Sequence, residues 1–171
     1  MADVTIGVVH GARDAGADIG AAARGTMVGV LRGTRAFSGT ALGAVGASVE
    51  NLVRATAEVG GDVDVAVRSA AQGALLGAAY VGVNALDAVA TAAGAAVSGA
   101  DKVGRDSAAA AQAAVEGAIW AAKDLGVDAD EVAAAAARGA ISAAGRLIAK
   151  ARNKVHQALT GIIAGVCVTQ A

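Results

Sequence analysis

Hydrophobic and polar positions recur along this chain with a period of 22 residues. Two consecutive blocks, 104–125 and 126–147, align without gaps and share their glycine, aspartate and aliphatic positions. One position of the block is aliphatic throughout the chain, at Val9, Leu31, Val53, Leu75, Val97, Ile119, Ile141 and Ile163. A fixed period that extends over the whole chain predicts a repeat protein in which each block is one structural unit.

Each block also carries residues that begin and end a helix. One set of positions holds side chains that accept hydrogen bonds from first-turn amides, and these positions predict helix N-caps. The predicted N-caps are Asp18, Thr40, Asp62, Asn84, Asp106 and Asp128. The residue two positions before each cap is small, usually glycine, and predicts a left-handed end of the preceding helix. These small residues are Gly16, Ser38, Gly60, Gly82, Gly104 and Gly126.

The joints between blocks are short, so each unit is predicted to be one helix of about 19 residues, antiparallel to its neighbours. Turns are predicted at Gly60–Asp62, Gly82–Asn84, Gly104–Asp106 and Gly126–Asp128. The next joint breaks the pattern, because residues 148–150 read Ile-Ala-Lys and contain neither a glycine nor a cap. The helix that starts after Asp128 is therefore predicted to continue through this joint to about Leu159.

An advance of 100° per residue gives each predicted helix three faces. Small residues form one narrow stripe, as in Ala66, Ala70 and Gly73, while larger aliphatic residues and polar residues form the other two faces. Glycine inside a helix costs about 1 kcal/mol relative to alanine, so the stripe is expected to let two backbones approach closely. The closest approaches are expected at Gly73, Gly77, Gly117 and Gly139.

Composition supports an all-α fold. The 171 residues are 56% hydrophobic, with 24 Gly, one Phe, one Trp, one Tyr and no Pro. Alanine dominates the hydrophobic content, and an alanine-rich chain with helical periodicity is typical of all-α proteins. The sequence therefore predicts one Ala/Gly-rich helical repeat domain, 1–171. Its 22-residue single-helix repeats are expected to form an up-and-down antiparallel array or bundle with Gly/Ala close-packed interfaces.

The charge pattern bears on partners. The net charge of −1 gives no overall attraction to nucleic acid, so no nucleic-acid partner is predicted. An acidic segment, 124–131, precedes a segment, 138–154, whose charged residues are all basic. A solvated helix face explains these segments, and a contact with a partner or with anionic lipid is the alternative.

Neither a signal peptide nor a membrane span is predicted for this chain. Residues 1–4 have no basic region, and no long apolar core follows them. The uncharged stretches 69–86 and 155–171 contain polar residues, and their apolar content is mostly alanine and valine, not leucine or phenylalanine. A single cysteine, Cys167, excludes an intramolecular disulfide and suits a reducing compartment. The predicted location is cytoplasmic, with association to a membrane surface as the alternative.

No catalytic, cofactor-binding or metal-binding residues are predicted. His10 and His156 are isolated in sequence, and Cys167 is expected to be an inert buried thiol. Asp62 and Asp128 are interpreted as helix caps and not as members of catalytic carboxylate pairs with Asp64 and Asp130. The glycines of residues 7–11 do not follow a strand, so no phosphate loop is predicted. Tyr80 and Trp120 are expected to anchor the core or an interface.

The 22-residue period is similar to that of exchangeable apolipoproteins, whose helices lie on lipid. This chain departs from that pattern, because glycine and not proline separates its units and its charged face is sparse. The sequence predicts a non-enzymatic structural or scaffolding helical repeat protein that forms a homo-oligomer and binds no cofactor. The alternative is a lipid- or membrane-associated amphipathic helical protein. An enzyme with a site between helices is a third hypothesis, for which the sequence indicates no residues.

Overall fold

The computed structural model describes residues 2–14, 18–34 and 41–168. Within these ranges the chain forms eight α-helices followed by a short β-hairpin. The helices are α1 (Ala2–Asp14), α2 (Ile19–Thr34), α3 (Ala41–Glu58), α4 (Val63–Val81), α5 (Ala85–Lys102), α6 (Ser107–Leu125), α7 (Ala129–Ala144) and α8 (Ala149–Ala158). The strands are β1 (Gly161–Ile163) and β2 (Val166–Val168). The expected all-α architecture of antiparallel neighbouring helices is confirmed, and the hairpin is an addition to it.

The predicted turns are confirmed at the four joints from α3 to α7. Gly60, Gly82, Gly104 and Gly126 all have φ between 69° and 74°, a left-handed conformation that glycine adopts without strain. After each of them, a carboxylate or amide oxygen accepts hydrogen bonds from amides of the next helix. These N-caps are Asp62, Asn84, Asp106 and Asp128.

The N-terminal joints are described only in part. The carboxylate of Asp18 accepts a hydrogen bond from the amide of Gly20 at 2.7 Å, as expected of an N-cap. The expected cap Thr40 and the small residues Gly16 and Ser38 lie outside the described residues.

The helices lie in two layers. The odd layer contains α1, α3, α5 and α7, and the even layer contains α2, α4, α6 and α8. Consecutive helices are antiparallel and lie in different layers, so next-but-one helices are parallel neighbours within a layer. The most extensive contacts are those between next-but-one helices. Each helix also contacts the helices that precede and follow it in the chain, and those neighbours lie in the other layer.

Most of the aliphatic positions that recur every 22 residues lie in the hydrophobic core. Val9, Leu31, Val53 and Val97 are fully buried there, and Ile141 is half-buried. Each fully buried aliphatic side chain stabilises the fold by about 1.5–3 kcal/mol relative to an exposed one. These side chains are therefore covered by other helices of the same chain.

Glycines lie where next-but-one helices approach each other. A Cβ atom built on Gly73 in α4 would be 2.6 Å from the backbone oxygen of Arg24 in α2. A Cβ atom on Gly139 in α7 would overlap the backbone oxygen of Ala90 in α5, and Gly117 in α6 has the same relation to the α4 backbone. In each case the contacted residue lies 49 positions earlier, in the preceding helix of the same layer.

The predicted continuous helix through residues 148–150 is wrong. The preceding helix, α7, ends at Ala144, and Ile148 is extended (φ −60°, ψ 150°) immediately before α8 begins. An unbroken helix from residue 129 to 159 would be about 45 Å long and would carry its last turns past the end of the array. The break instead returns α8 to α6, where Val155 and Leu159 are fully buried. The end of α7 is therefore stabilised by the burial of Val155 and Leu159, a tertiary interaction that has no signal in the local sequence.

Residues 161–168, beyond the last predicted helix, form the hairpin. The register of the antiparallel strands pairs Ile163 with Val166, so Ala164 and Gly165 form a two-residue turn. Both turn residues have positive φ (50° and 83°), as type I′ hairpin turns require. Strand β2 packs on α7, in the place where the next helix of the odd layer would lie if the alternation continued.

Candidate functional site

The residues singled out for chemistry do not come together. His10 lies on α1 and His156 on α8, and no group of three or more potential metal ligands occurs in the described part of the chain. Residues 7–11 are in the interior of α1, so they form no phosphate-binding loop. Cys167 is exposed, and the expectation of a buried thiol is wrong. Strand alternation is the reason, because it turns Val166 and Val168 to the core and Cys167 outward.

Tyr80 and Trp120 are on the surface, so neither anchors the core, and the alternative that they anchor an interface stays a prediction. Their exposed fractions are 67% and 44%. The Arg32 guanidinium lies 5.2 Å from the centroid of the Tyr80 ring, and the Arg68 guanidinium lies 5.3 Å from that of Trp120. Both are cation–π contacts between next-but-one helices of the even layer. The aromatic rings therefore cross-link the outer surface of this layer.

Arg68 joins α4 to α6 by a second contact. Its Nε and Nη2 atoms donate hydrogen bonds to Oε2 of Glu116 at 3.0 and 2.8 Å. The pair is half-buried, so it is less screened by solvent than a fully exposed ion pair. Lys102 and Glu50 make the corresponding link between α5 and α3 in the odd layer, with Nζ 2.7 Å from Oε2. These charged groups are engaged in structural contacts.

Asp64 lies near the start of α4, close to this ion pair. Partial burial and the neighbouring Asp62 carboxylate raise the pKa of Asp64 above its ordinary value, and Asp106 and Glu116 act in the same direction. The Arg68 guanidinium opposes the rise. The native chain therefore holds the Asp64 proton to a higher pH than the unfolded chain does. This difference makes the contribution of Asp64 to folding less favourable as pH rises from 3.8, the ordinary value, to the raised value.

We expect Asp64→Asn to gain stability relative to the parent protein as pH rises through this window. The gain at neutral pH should be less than about 1 kcal/mol, because the site is partly solvated. Urea unfolding at several pH values measures it. Asp130→Asn, at the same position of α7, is the control for loss of a negative charge in the first turn. A difference that shrinks with rising pH would contradict the prediction.

An open groove crosses the outer surface of the odd layer. It has a volume of about 560 Å³ and a floor of small residues from α3, α5 and α7, including Gly46, Gly94 and Gly139. Hydroxyl groups line it, but its carboxylate, Glu50, is paired with Lys102. The described groove residues therefore place no free base beside a nucleophile.

The first even helix carries glycines with no described neighbour. Gly25, Gly29 and Gly33 of α2 are exposed, and no atom of the described residues lies within 4 Å of a Cβ built on any of them. We call them the N-terminal glycine face. Gly29 and Gly33 occupy the positions that Gly73 and Gly77 occupy in α4, two units later. In α4 those positions pack on α2, whereas among the described residues no helix packs on the corresponding positions of α2.

No protein-family model matches the sequence, and no curated protein is detectably similar to it. The glycine periodicity is visible in the sequence, but the N-terminal glycine face is not. It becomes apparent only from the structure, in which the small face of α4 packs on α2 but no described residue packs on the glycines of α2.

Proposed function

We propose that this chain is a non-enzymatic scaffolding protein that self-associates through the N-terminal glycine face. In this proposal the chain consists of 22-residue single-helix units with Gly/Ala close-packed interfaces. The observation that carries it is the exposure of Gly29 and Gly33 at positions where later helices meet a neighbour. In the proposed oligomer, the N-terminal glycine face packs on a second molecule, as the glycines of α4 pack on α2.

Helix energetics supports this use of the face. Each helical glycine costs about 1 kcal/mol relative to alanine. In α4 the close approach to α2 at Gly73 and Gly77 offsets that cost, because larger side chains would not fit there. In α2 the described residues supply no such compensation for Gly25, Gly29 and Gly33. A partner backbone packed on the face would supply it.

The ends of the array favour a two-fold dimer over a head-to-tail chain. At the C-terminal end, α8 covers α6 and the hairpin covers α7. Head-to-tail stacking would therefore bring the glycine face against α8, which carries Lys150, Arg152 and Lys154, or against the hairpin. Two copies of α2 related by a two-fold axis present small faces to each other, and closed two-fold dimers are the commonest oligomers.

Light scattering after size-exclusion chromatography tests the association. We expect the parent protein to be a dimer at micromolar concentration and Gly29→Leu or Gly33→Leu to be a monomer with an unchanged circular dichroism spectrum. Gly43→Leu is the matched control, because Gly43 is an exposed helical glycine of α3 with no described atom within 4 Å of its Cβ. This control should remain a dimer. A monomeric parent protein, or a dimer that tolerates both α2 substitutions, would overturn the proposal.

One observation favours a lipid-surface function as a second candidate. Tyr80 and Trp120 are exposed beside Arg32 and Arg68 on the even layer, and aromatic rings beside basic groups suit a membrane interface. No helix in the described ranges has both the length and the apolar character to cross a membrane. Liposome flotation separates the two candidates. Flotation of the parent protein that is lost in a Tyr80→Ala, Trp120→Ala double variant would favour the lipid function.

We place both functions in the cytoplasm or at its membrane surface, where the exposed thiol of Cys167 would stay reduced. Neither function includes a cofactor or a nucleic-acid partner.

A further inference from the structure

The start of α8 differs from the starts of α4 to α7. Ile148 occupies the N-cap position, and its side chain accepts no hydrogen bond. The amides of Ala149, Lys150 and Ala151 consequently have no acceptor among the described residues. In α4 to α7 an Asp or Asn oxygen serves this purpose. The first turn of α8 therefore presents unpaired donors and the positive end of a helix dipole.

Two of these residues, Lys150 and Ala151, line a cavity of about 350 Å³ between α8 and the joint that leads into α6. Three cationic side chains line it: Arg105 from the joint, and Lys150 and Lys154 from α8. Asp101 and Asp106 also line it, and Asp106 already accepts a hydrogen bond from the amide of Ala108 at 2.9 Å. The lining therefore carries one more positive than negative charge.

A largely buried serine adds an unpaired hydroxyl group to the same cavity. Ser107, the first residue of α6, lines the same cavity and is only 6% exposed. Its hydroxyl group makes no hydrogen bond with the described residues. Its oxygen is accessible at the cavity surface, so it can donate a hydrogen bond to an acceptor that enters from outside the chain.

We propose that this cavity binds the phosphate group of a phosphorylated ligand. The phosphate oxygens accept hydrogen bonds from the free amides of α8 and from the Ser107 hydroxyl, while Arg105, Lys150 and Lys154 balance the charge. A phosphate group fits this donor set because it has several acceptor oxygens and up to two negative charges. The ligand thus replaces the acidic cap that α8 lacks, and the site is separate from the N-terminal glycine face.

The substitution Ile148→Asp gives the sharpest test. Ile148 is 74% exposed, so the change disturbs little packing, and it restores the acidic cap found at three preceding joints. Without phosphate, we expect the variant to melt about 2–4 °C above the parent protein. Its carboxylate should also abolish binding of inorganic phosphate, because it occupies the same amides.

Two-dimensional ¹H–¹⁵N NMR with inorganic phosphate, and chloride at equal ionic strength as the reference, measures the binding. We expect phosphate-specific shifts of the amides of residues 149–151 and of Ser107. The Lys150→Gln, Lys154→Gln double variant should weaken binding about tenfold or more. Arg152→Gln should change it less than about twofold, because Arg152 is exposed on α8 but does not line the cavity.

Two further ligands distinguish the source of the phosphate. Glycerol 3-phosphate tests a free phosphate ester, and vesicles containing phosphatidic acid test a lipid headgroup. Binding of either that is lost in Ile148→Asp supports the site and identifies its source. Absence of phosphate-specific shifts at residues 149–151, or an unchanged response in Ile148→Asp, would overturn the proposal. Equal weakening by Arg152→Gln and by the double lysine variant would do so as well, since it would indicate only general charge screening.

Discussion

Replacement of Gly139 by alanine should lower the free energy of unfolding by about 1–3 kcal/mol, although alanine is the better helix former. The added methyl group would overlap the backbone oxygen, carbonyl carbon and Cα of Ala90 in α5. Backbone atoms cannot rotate away as the end of a side chain can. The two helices must therefore separate, and the contacts on both sides of Gly139 would weaken.

Thermal or urea denaturation measures this effect. Gly43→Ala is the matched control, because no described atom lies within 4 Å of a Cβ built on that exposed helical glycine. The control should stabilise the protein by up to about 1 kcal/mol, which is the difference in helix propensity alone. If Gly139→Ala also melts at or above the parent protein, α5 and α7 do not approach as closely as described.

Gly77 gives an intermediate case that separates backbone from side-chain contacts. Its added Cβ would lie 2.7 Å from Cδ1 of Leu31 and 3.3 Å from the Cα of Val28. The end of the leucine side chain can move, so Gly77→Ala should cost less than Gly139→Ala. Gly77→Leu should destabilise the fold more strongly, since the larger side chain would also meet the α2 backbone.

Replacement of Val168 by aspartate should lower the free energy of unfolding by about 3 kcal/mol. Val168 is buried on the side of β2 that faces the core, and the substitution would place an unpaired carboxylate there. Urea denaturation measures the loss of unfolding free energy. Detachment of the hairpin from α7 would limit this loss, because it would expose the new carboxylate to water.

Cys167→Asp is the control for that substitution. Cys167 is adjacent in sequence but exposed, so the same change there should alter stability by no more than about 0.5 kcal/mol. This contrast between adjacent residues follows from the alternation of a strand. Equal losses at the two positions would contradict the assignment of residues 166–168 to a strand packed on α7.

Local signals in the sequence predicted the helices and most of their ends. An N-cap such as Asp62 bonds to amides two and three residues later, and a left-handed glycine such as Gly82 ends its own helix. Both interactions lie within one helical turn, so a short stretch of sequence contains all the groups involved.

The candidate sites could be predicted only in part. The glycines of α2 are visible as a periodic set, but their exposure depends on which helix covers them. The amides at the start of α8 were not recognised, because the missing cap near Ile148 was interpreted as continuation of a helix. The sequence does show that Asp and Asn are absent near Ile148. A missing cap, however, is compatible both with a helix that continues through this position and with a helix that begins there uncapped. Only the burial of Val155 and Leu159 distinguishes the two.

The sequence by itself determined that this chain is helical and where its joints from α3 to α7 lie. These properties depend on periodicity and on hydrogen bonds between near neighbours. Only the tertiary structure decided that a small face packs two units away, that α7 ends at Ala144, and that residues 161–168 form a hairpin. Those outcomes depend on burial against residues distant in sequence, and helical periodicity is the same whichever helix provides the partner surface.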